Sequence, residues 1–325
     1  VSDPNALAQL GRSQVQVTRL GLGAGPLGNV AVPVAGEEAA RTIGLALGPA
    51  PRLIDTAPSY GSGLSEARIG AALRGVPRDS FVISSKVGRL LHGARVETGT
   101  YDVLGQPIYR TTDRLEPAFD FSYDGVMRSY EESLERLGLD RLDIVHIHNP
   151  DAHFAPALAG AYLALHRLRE AGAVGAISVG MNQWEMLSRF LDYGDFDCFL
   201  LAGRYTLLDR SAVHDLLPRC LKRGVSVIAG GVFNSGILAN PVPGATYDYV
   251  PADGVTLRRA LRLKLVCEEF GVPLKAAAVQ FPLRHPAVAS VLVGVKSAAE
   301  WRENTALFEV EIPDALWSRL EALDG

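Results

Sequence analysis

Cysteine is scarce in this chain. Cys198, Cys220 and Cys267 stand far apart, too few and too scattered for a disulfide framework or a CxxC-type zinc site. A reducing, cytoplasmic setting fits that scarcity, and no metal is expected. No apolar run reaches the roughly 18 residues that a membrane-spanning helix needs. The N-terminus carries no signal-peptide pattern. A block of single-sign charge is missing too: 32 Lys and Arg face 36 Asp and Glu, for a formal net charge of -4. Without a basic stripe, neither nucleic acid nor an anionic membrane surface is an expected partner. Apolar residues, at 48% against 21% charged, are plentiful enough for a large core and argue against disorder. No Pro/Ser-rich linker divides the 325 residues, so residues 1–325 read as one domain.

Short apolar runs alternate with helical patterns along the whole chain. Eight runs read as strands: 19–23, 52–55, 81–86, 142–148, 174–180, 198–202, 225–229 and 288–293. Each precedes a helical pattern, and Pro313 to Leu323 adds a C-terminal helix. Eight βα units without a boundary predict an α/β fold, a closed single-domain (β/α)8 TIM barrel. A loop of over thirty residues follows the third strand, from Val87 to about Phe121, and reads as a lid or binding loop. Gly23-Ala-Gly-Pro-Leu-Gly28 is literally GxGxxG, but Pro26 and the non-helical 29–33 deny it the helix a dinucleotide fingerprint requires. It reads instead as a strand end where backbone approaches another group closely.

The chain is organised around Leu53-Ile-Asp-Thr-Ala-Pro-Ser-Tyr-Gly61, a strand that ends on Asp55 and turns through Tyr60. Lys86 closes the third strand and His148 the fourth. Singly, a strand-end His is more often structural, a Lys at a loop edge is usually solvated, and Asp55 can cap a turn. Together, at one end of three consecutive strands, the four form a chemical unit. A phenol of pKa ~10 is a poor acid/base at neutral pH. A neighbouring ammonium lowers that value, a carboxylate holds the ammonium charged, and a histidine donates to a substrate oxygen. The unit suits moving a proton on or off oxygen while hydride moves at carbon. His146 lies one layer deeper on the same side, and core packing is its expected role.

These segments, with Ile83-Ser-Ser-Lys86 and Asp143-Ile-Val-His-Ile-His-Asn-Pro150, resemble the signature of the aldo-keto reductase superfamily from about Leu20 to Asn304. The resemblance implies Tyr60 as proton donor or acceptor, Lys86 and Asp55 as its tuners, and His148 as the group that orients substrate. It also implies a nicotinamide dinucleotide bound without a Rossmann fold. Gly23 and Asn182 would face the nicotinamide, Phe233, Asn234, Ser235, Gly236 and Leu238 would wrap the pyrophosphate, and Gly294, Lys296, Ser297, Glu300 and Asn304 would hold the adenosine. The sequence departs from the family at three places: Met181 replaces a serine, the usual glutamine falls near Ala202, and Gly230 replaces a stacking tyrosine. NADPH-dependent relatives carry a lysine at position 294 and an arginine at 300. Gly294 and Glu300 imply NAD, with NADP as the alternative should Lys296 and Arg302 substitute as cations.

Gly180-Met-Asn-Gln-Trp184, Arg204-Tyr-Thr-Leu-Leu-Asp209 and Ala229-Gly-Gly-Val-Phe-Asn-Ser-Gly236 resemble the branch of D-threo-aldose 1-dehydrogenases, or L-fucose dehydrogenases. Plant L-galactose dehydrogenases and bacterial pyridoxal 4-dehydrogenase are related to it. The resemblance implies oxidation of a small-molecule sugar at C1 to its lactone, on L-fucose, L-galactose or D-arabinose. Substrate contacts are expected from Tyr60, His148, Trp184, Tyr109 in the long loop, and the region around Tyr247–Tyr249. Alternatives are pyridoxal oxidation, NADPH-dependent aldehyde reduction, a Schiff-base aldolase built on Lys86, and a cofactor-sensing interaction subunit.

Overall fold

The computed structural model describes residues 3–30, 32–91 and 118–324. Eight parallel strands close into a barrel in chain order: Leu20–Gly23, Arg52–Asp55, Phe81–Val87, Leu142–His148, Val174–Met181, Cys198–Ala202, Ser226–Gly230 and Val288–Gly294. The expected strands agree with these to within a residue at each end. Helices pack outside, among them Gly36–Ala46, Leu64–Ala72, Tyr123–Leu137, Trp184–Tyr193, Leu216–Arg223, Gly254–Glu269 and Ala298–Phe308. The C-terminal helix is Asp314–Glu321, followed by a 3-10 turn.

The pleat sorts each strand into two faces. Outward residues such as Leu22, Ile54, Ile83, Val145, Ile177, Leu201 and Val293 join the helices in the main core. Inward residues fill the barrel: Leu53, Val82, Ile144, Ala176, Cys198, Leu200, Ile228 and Leu292 form its floor. Leu10 and Val17 plug that floor from below. They belong to a hairpin, Leu7–Gln9 against Gln16–Thr18, that precedes the first barrel strand. Cys198, Cys220 and Cys267 are all buried and free.

Three local departures carry structural reasons. The helical segment after the fourth barrel strand begins at Phe154 and runs as a π-helix over Ala157–Tyr162 before Leu163–Glu170. There Gly160 passes the Phe121 carbonyl so closely that a Cβ would stand 2.3 Å from it. The long loop after the third strand leaves the barrel through a two-residue antiparallel stem, Arg89–Leu90 against Ala118–Phe119. A second small hairpin, Thr246–Tyr247 against Val250–Pro251, turns through Asp248 and Tyr249, both left-handed (φ 49° and 65°). Among the described residues no helix is long and apolar enough to cross a membrane.

Candidate active site

Register sets the chemistry. Asp55 pairs with Ser84, so Lys86 stands two residues further along its strand; Lys86 pairs with His146, so His148 stands two further again. The barrel's stagger thus stacks Asp55, Lys86 and His148 toward the carboxyl end. Asp55, Lys86 and His148 are all buried. Lys86 Nζ donates to Asp55 Oδ2 at 2.7 Å and to the Thr56 carbonyl at 2.8 Å. Ser84 Oγ donates to Asp55 Oδ1 at 2.8 Å. The ammonium lies 4.8 Å from the Tyr60 ring centroid, and the Tyr60 and His148 rings meet edge to face at 6.1 Å. The four residues expected together are brought together.

The GxGxxG segment explains why Tyr60 points where it does. No α-helix starts in it; Pro26–Gly28 is a single 3-10 turn. A Cβ at Gly28 would lie 2.7 Å from the Tyr60 carbonyl carbon, and one at Gly61 would lie 2.3 Å from the Gly28 carbonyl oxygen. The two glycines interlock and clamp the Tyr60 turn, while Gly25 faces the Tyr60 ring. Gly61 is also left-handed, with φ 68°. Gly61→Ala is therefore expected to cost about 1–3 kcal/mol of stability and roughly tenfold in kcat. Urea melts and steady-state rates on one preparation check both numbers.

Electrostatics differ from the sequence expectation at Tyr60. Burial pushes its phenol well above the ordinary value, and Asp55 adds to the rise. Arg89, not Lys86, is the cation that pulls it down. Burial lowers Lys86 despite Asp55, and it holds His148 well below the usual histidine value, helped by Arg89 and Lys86. His148 is a neutral imidazole, able to donate one N–H to an oxygen.

Sequence reasoning missed three residues here. Arg89 sits on the stem of the long loop, 5.0 Å from the Phe119 ring centroid. With its amide oriented to satisfy both neighbours, Asn149 donates to the Gly180 carbonyl at 3.1 Å and accepts from Arg89 at 3.2 Å. Glu66 is wholly buried, accepts from Ser85 Oγ and Arg136 Nε at 2.6 Å each, and favours the charged form of Lys86 from behind. His146 lies against Asp55. A buried acid on a helix or a second histidine on a strand has no spacing signature, so only the fold reveals them.

On the five barrel strands that carry none of the unit, inward strand-end positions are Gly23, which pairs with Asp55, Gly180, which pairs with His148, and Ala202, Gly230 and Gly294. Small residues, four of them glycine, therefore line that part of the mouth. A Cβ at Gly230 would meet only ordinary contacts with Leu200 and Ala202, so packing does not force glycine there. Asn182 is held there by its bond to the Ala202 carbonyl at 3.0 Å. Beyond it, Asn234 and Ser235 are both left-handed (φ 45° and 60°). Asn234 is buried, donates to the Gly203 carbonyl at 3.1 Å, and keeps Oδ1 without a partner among the described residues. Ser235 Oγ accepts from Tyr249 N–H at 3.0 Å, and Arg204 grips Asp248 with two bonds of 2.9 and 2.7 Å. Phe233 packs on the main core and Gly236 is open around its Cα, while the Leu238 side chain is wholly buried in the main core.

At the last strand, Ser297 caps the helix Ala298–Phe308 by accepting from Glu300 N–H at 3.2 Å. Glu300 reaches back to the Lys296 N–H at 2.7 Å. A carboxylate thus occupies the helix N-terminus where an anion would otherwise bind. Asn304 is buried, with Oδ1 unpartnered among the described residues. The unpartnered acceptors and the small strand ends fit a dinucleotide laid across the mouth. Trp184 opens its helix and is partly buried against the core. Tyr109 lies outside the described residues. Among those residues no group of His, Cys, Asp and Glu could hold a metal.

Fold and site define a barrel of the oxidoreductase class. The aldo/keto reductase family model matches residues 19–325, and the chain belongs to that family, oxidoreductases that act on CH–OH groups with nicotinamide nucleotides. It is 39% identical to the pyridoxal 4-dehydrogenase of Microbacterium luteolum, over 96% of each chain. It is also 39% identical to the D-threo-aldose 1-dehydrogenase of a Pseudomonas species, over 94% of this chain and 93% of that one. The solved structure of aldo-keto reductase AKR11C1 from Bacillus halodurans (holo form) shares the fold with a TM-score of 0.77 at 23% identity, covering 99% of this chain and 96% of that one.

Proposed function

We propose that the protein oxidises the anomeric hydroxyl of an aldose of the L-fucose, L-galactose or D-arabinose type to the lactone, with NAD. The observation that carries the reading is the Asp55–Lys86–Tyr60–His148 unit at a mouth lined in part by small residues. An oxidised nicotinamide, when bound, supplies a cationic acceptor for hydride. Tyr60, as phenolate, takes the hydroxyl proton, and neutral His148 donates to the same oxygen as the C–H electron pair leaves. C1–O becomes a carbonyl, and the proton stays on Tyr60. Because burial raises the phenol, the basic form grows only as pH rises. Oxidation is therefore expected to speed up through the alkaline range, and carbonyl reduction to slow.

Equal identity to two dehydrogenases keeps pyridoxal as the second substrate reading. The two are chemically close: pyridoxal's aldehyde and neighbouring hydroxymethyl group can close into a cyclic hemiacetal, the functional group of an aldose ring. The test is NADH formation from L-fucose, L-galactose, D-arabinose, D-glucose and pyridoxal, each with NAD and NADP. Turnover of pyridoxal alone would discard the sugar and keep the chemistry.

Supporting NAD, Glu300 is a carboxylate at the position where the resemblance gives NADPH-dependent relatives an arginine for the 2′-phosphate. Glu300→Arg is expected to shift the NADP:NAD ratio of kcat/KM upward by roughly ten- to hundredfold, the worth of one or two charge-assisted bonds. A wild-type enzyme that prefers NADP would overturn the argument.

A further inference from the structure

One layer below the acid–base unit lies a histidine that the chemistry above does not use. His146 is wholly buried, and its Nε2 stands 3.6 Å from Asp55 Oδ1. Among the described residues neither ring nitrogen makes a hydrogen bond. Such a group costs stability that an aliphatic side chain would not, so plain packing does not account for it. The barrel also makes room for it: a Cβ at Gly180 would come within 3.4 Å of the His146 Cβ.

Its charged and titratable neighbours can be named strand by strand. Asp55 faces it from Arg52–Asp55, Lys86 acts on it from Phe81–Val87, and His148 stands above it on its own strand. Ser178, its register partner on Val174–Met181, brings no charge. Glu66 and Arg89 act on Lys86 from further out. Burial and the Lys86 ammonium keep the imidazole neutral, so it carries one N–H. Lys86 and Ser84 already donate to Asp55. Hydrogen bonds in ligand-free active sites are often long and tighten in the reacting complex.

We propose that His146 is a positioning residue of the acid–base unit, its Nε2–H being the third donor to Asp55 and closing on Oδ1 when the site is occupied. The proposal rests on the reading of Tyr60 as acid/base. A fixed Asp55 fixes Lys86, and a third N–H donor partly offsets the Asp55 charge that opposes the Tyr60 phenolate. Removing it makes the phenolate harder to form.

The test uses full-length protein labelled with ring-15N histidine, as wild type, His146→Gln, His146→Leu and Asp55→Asn. The signal lost in His146→Gln is that of His146. It is expected to show a neutral Nε2–H ring that does not titrate between about pH 6 and 9, and its Nε2 shift is expected to move in Asp55→Asn. An Nδ1–H tautomer, or an ordinary titration, overturns the proposal. In kinetics, His146→Leu is expected to lower kcat about tenfold and to move the alkaline limb up by roughly half a unit, with KM for the cofactor unchanged. His146→Gln, which keeps a donor, restores both. A Leu variant with wild-type kcat and pH profile overturns the proposal, and so does a folded Gln variant as impaired as Leu. If the wild type oxidises none of the sugars or pyridoxal, the substrate reading has failed, and the ring-nitrogen spectra still decide the role of His146.

Discussion

Replacing Tyr60 by Phe should lower kcat by about a thousandfold, near the upper end of what a positioned acid/base supplies. The change removes one oxygen and leaves the ring that packs against Lys86 and His148. The Gly28–Gly61 clamp acts on backbone and is untouched. Cofactor affinity, read by fluorescence quenching, should stay within about twofold, because removing a group that acts on the reacting hydroxyl leaves ground-state binding alone. The pH profile carries the sharper information. Oxidation needs the phenolate, whose formation burial and Asp55 oppose. Wild-type activity should therefore climb with pH, and the residual activity of Tyr60→Phe should be flat. A mutant that keeps both rate and slope would show that another group takes the proton.

The direction of the Tyr60 shift is something a sequence cannot supply. Spacing placed an ammonium beside a phenol and suggested a lowered pKa. The outcome depends on a competition between desolvation, the opposing charge of Asp55 and the cation of Arg89, which only three-dimensional placement resolves. The barrel was legible for a simpler reason. Each strand is a short apolar run that ends on a polar or small residue, and Asp55, Lys86 and His148 mark the same end of three of them. What escaped were features without a periodic signal. The Leu7–Gln9 hairpin strand is three residues long, too short for alternation to register. The Asp248–Tyr249 turn lacks the Asn-Gly or Asp-Gly that usually announces left-handed backbone, and is held by Arg204 and Ser235 from elsewhere in the chain. Glu66 is a buried carboxylate whose partners, Ser85 and Arg136, lie on other elements. His146 looked like packing because its distance from Asp55 is set by strand register, not by sequence.

Lys86→Met separates the two jobs of the lysine. The Lys86–Asp55 pair is almost fully desolvated, with side-chain exposures of 2% and 5%. Removing the cation leaves a buried carboxylate with Ser84 Oγ as a remaining donor, and a loss of about 3–5 kcal/mol is expected. Urea melts read the loss directly, as a lower midpoint at an unchanged slope. Adding Asp55→Asn to Lys86→Met removes the stranded charge and should return most of the lost stability. It should not return activity, because the ammonium that stands 4.8 Å from the Tyr60 ring is still missing, and kcat should stay about a thousandfold down. A double variant that recovered turnover along with stability would mean that Lys86 only pairs a buried acid, and that the proton chemistry at Tyr60 proceeds without it.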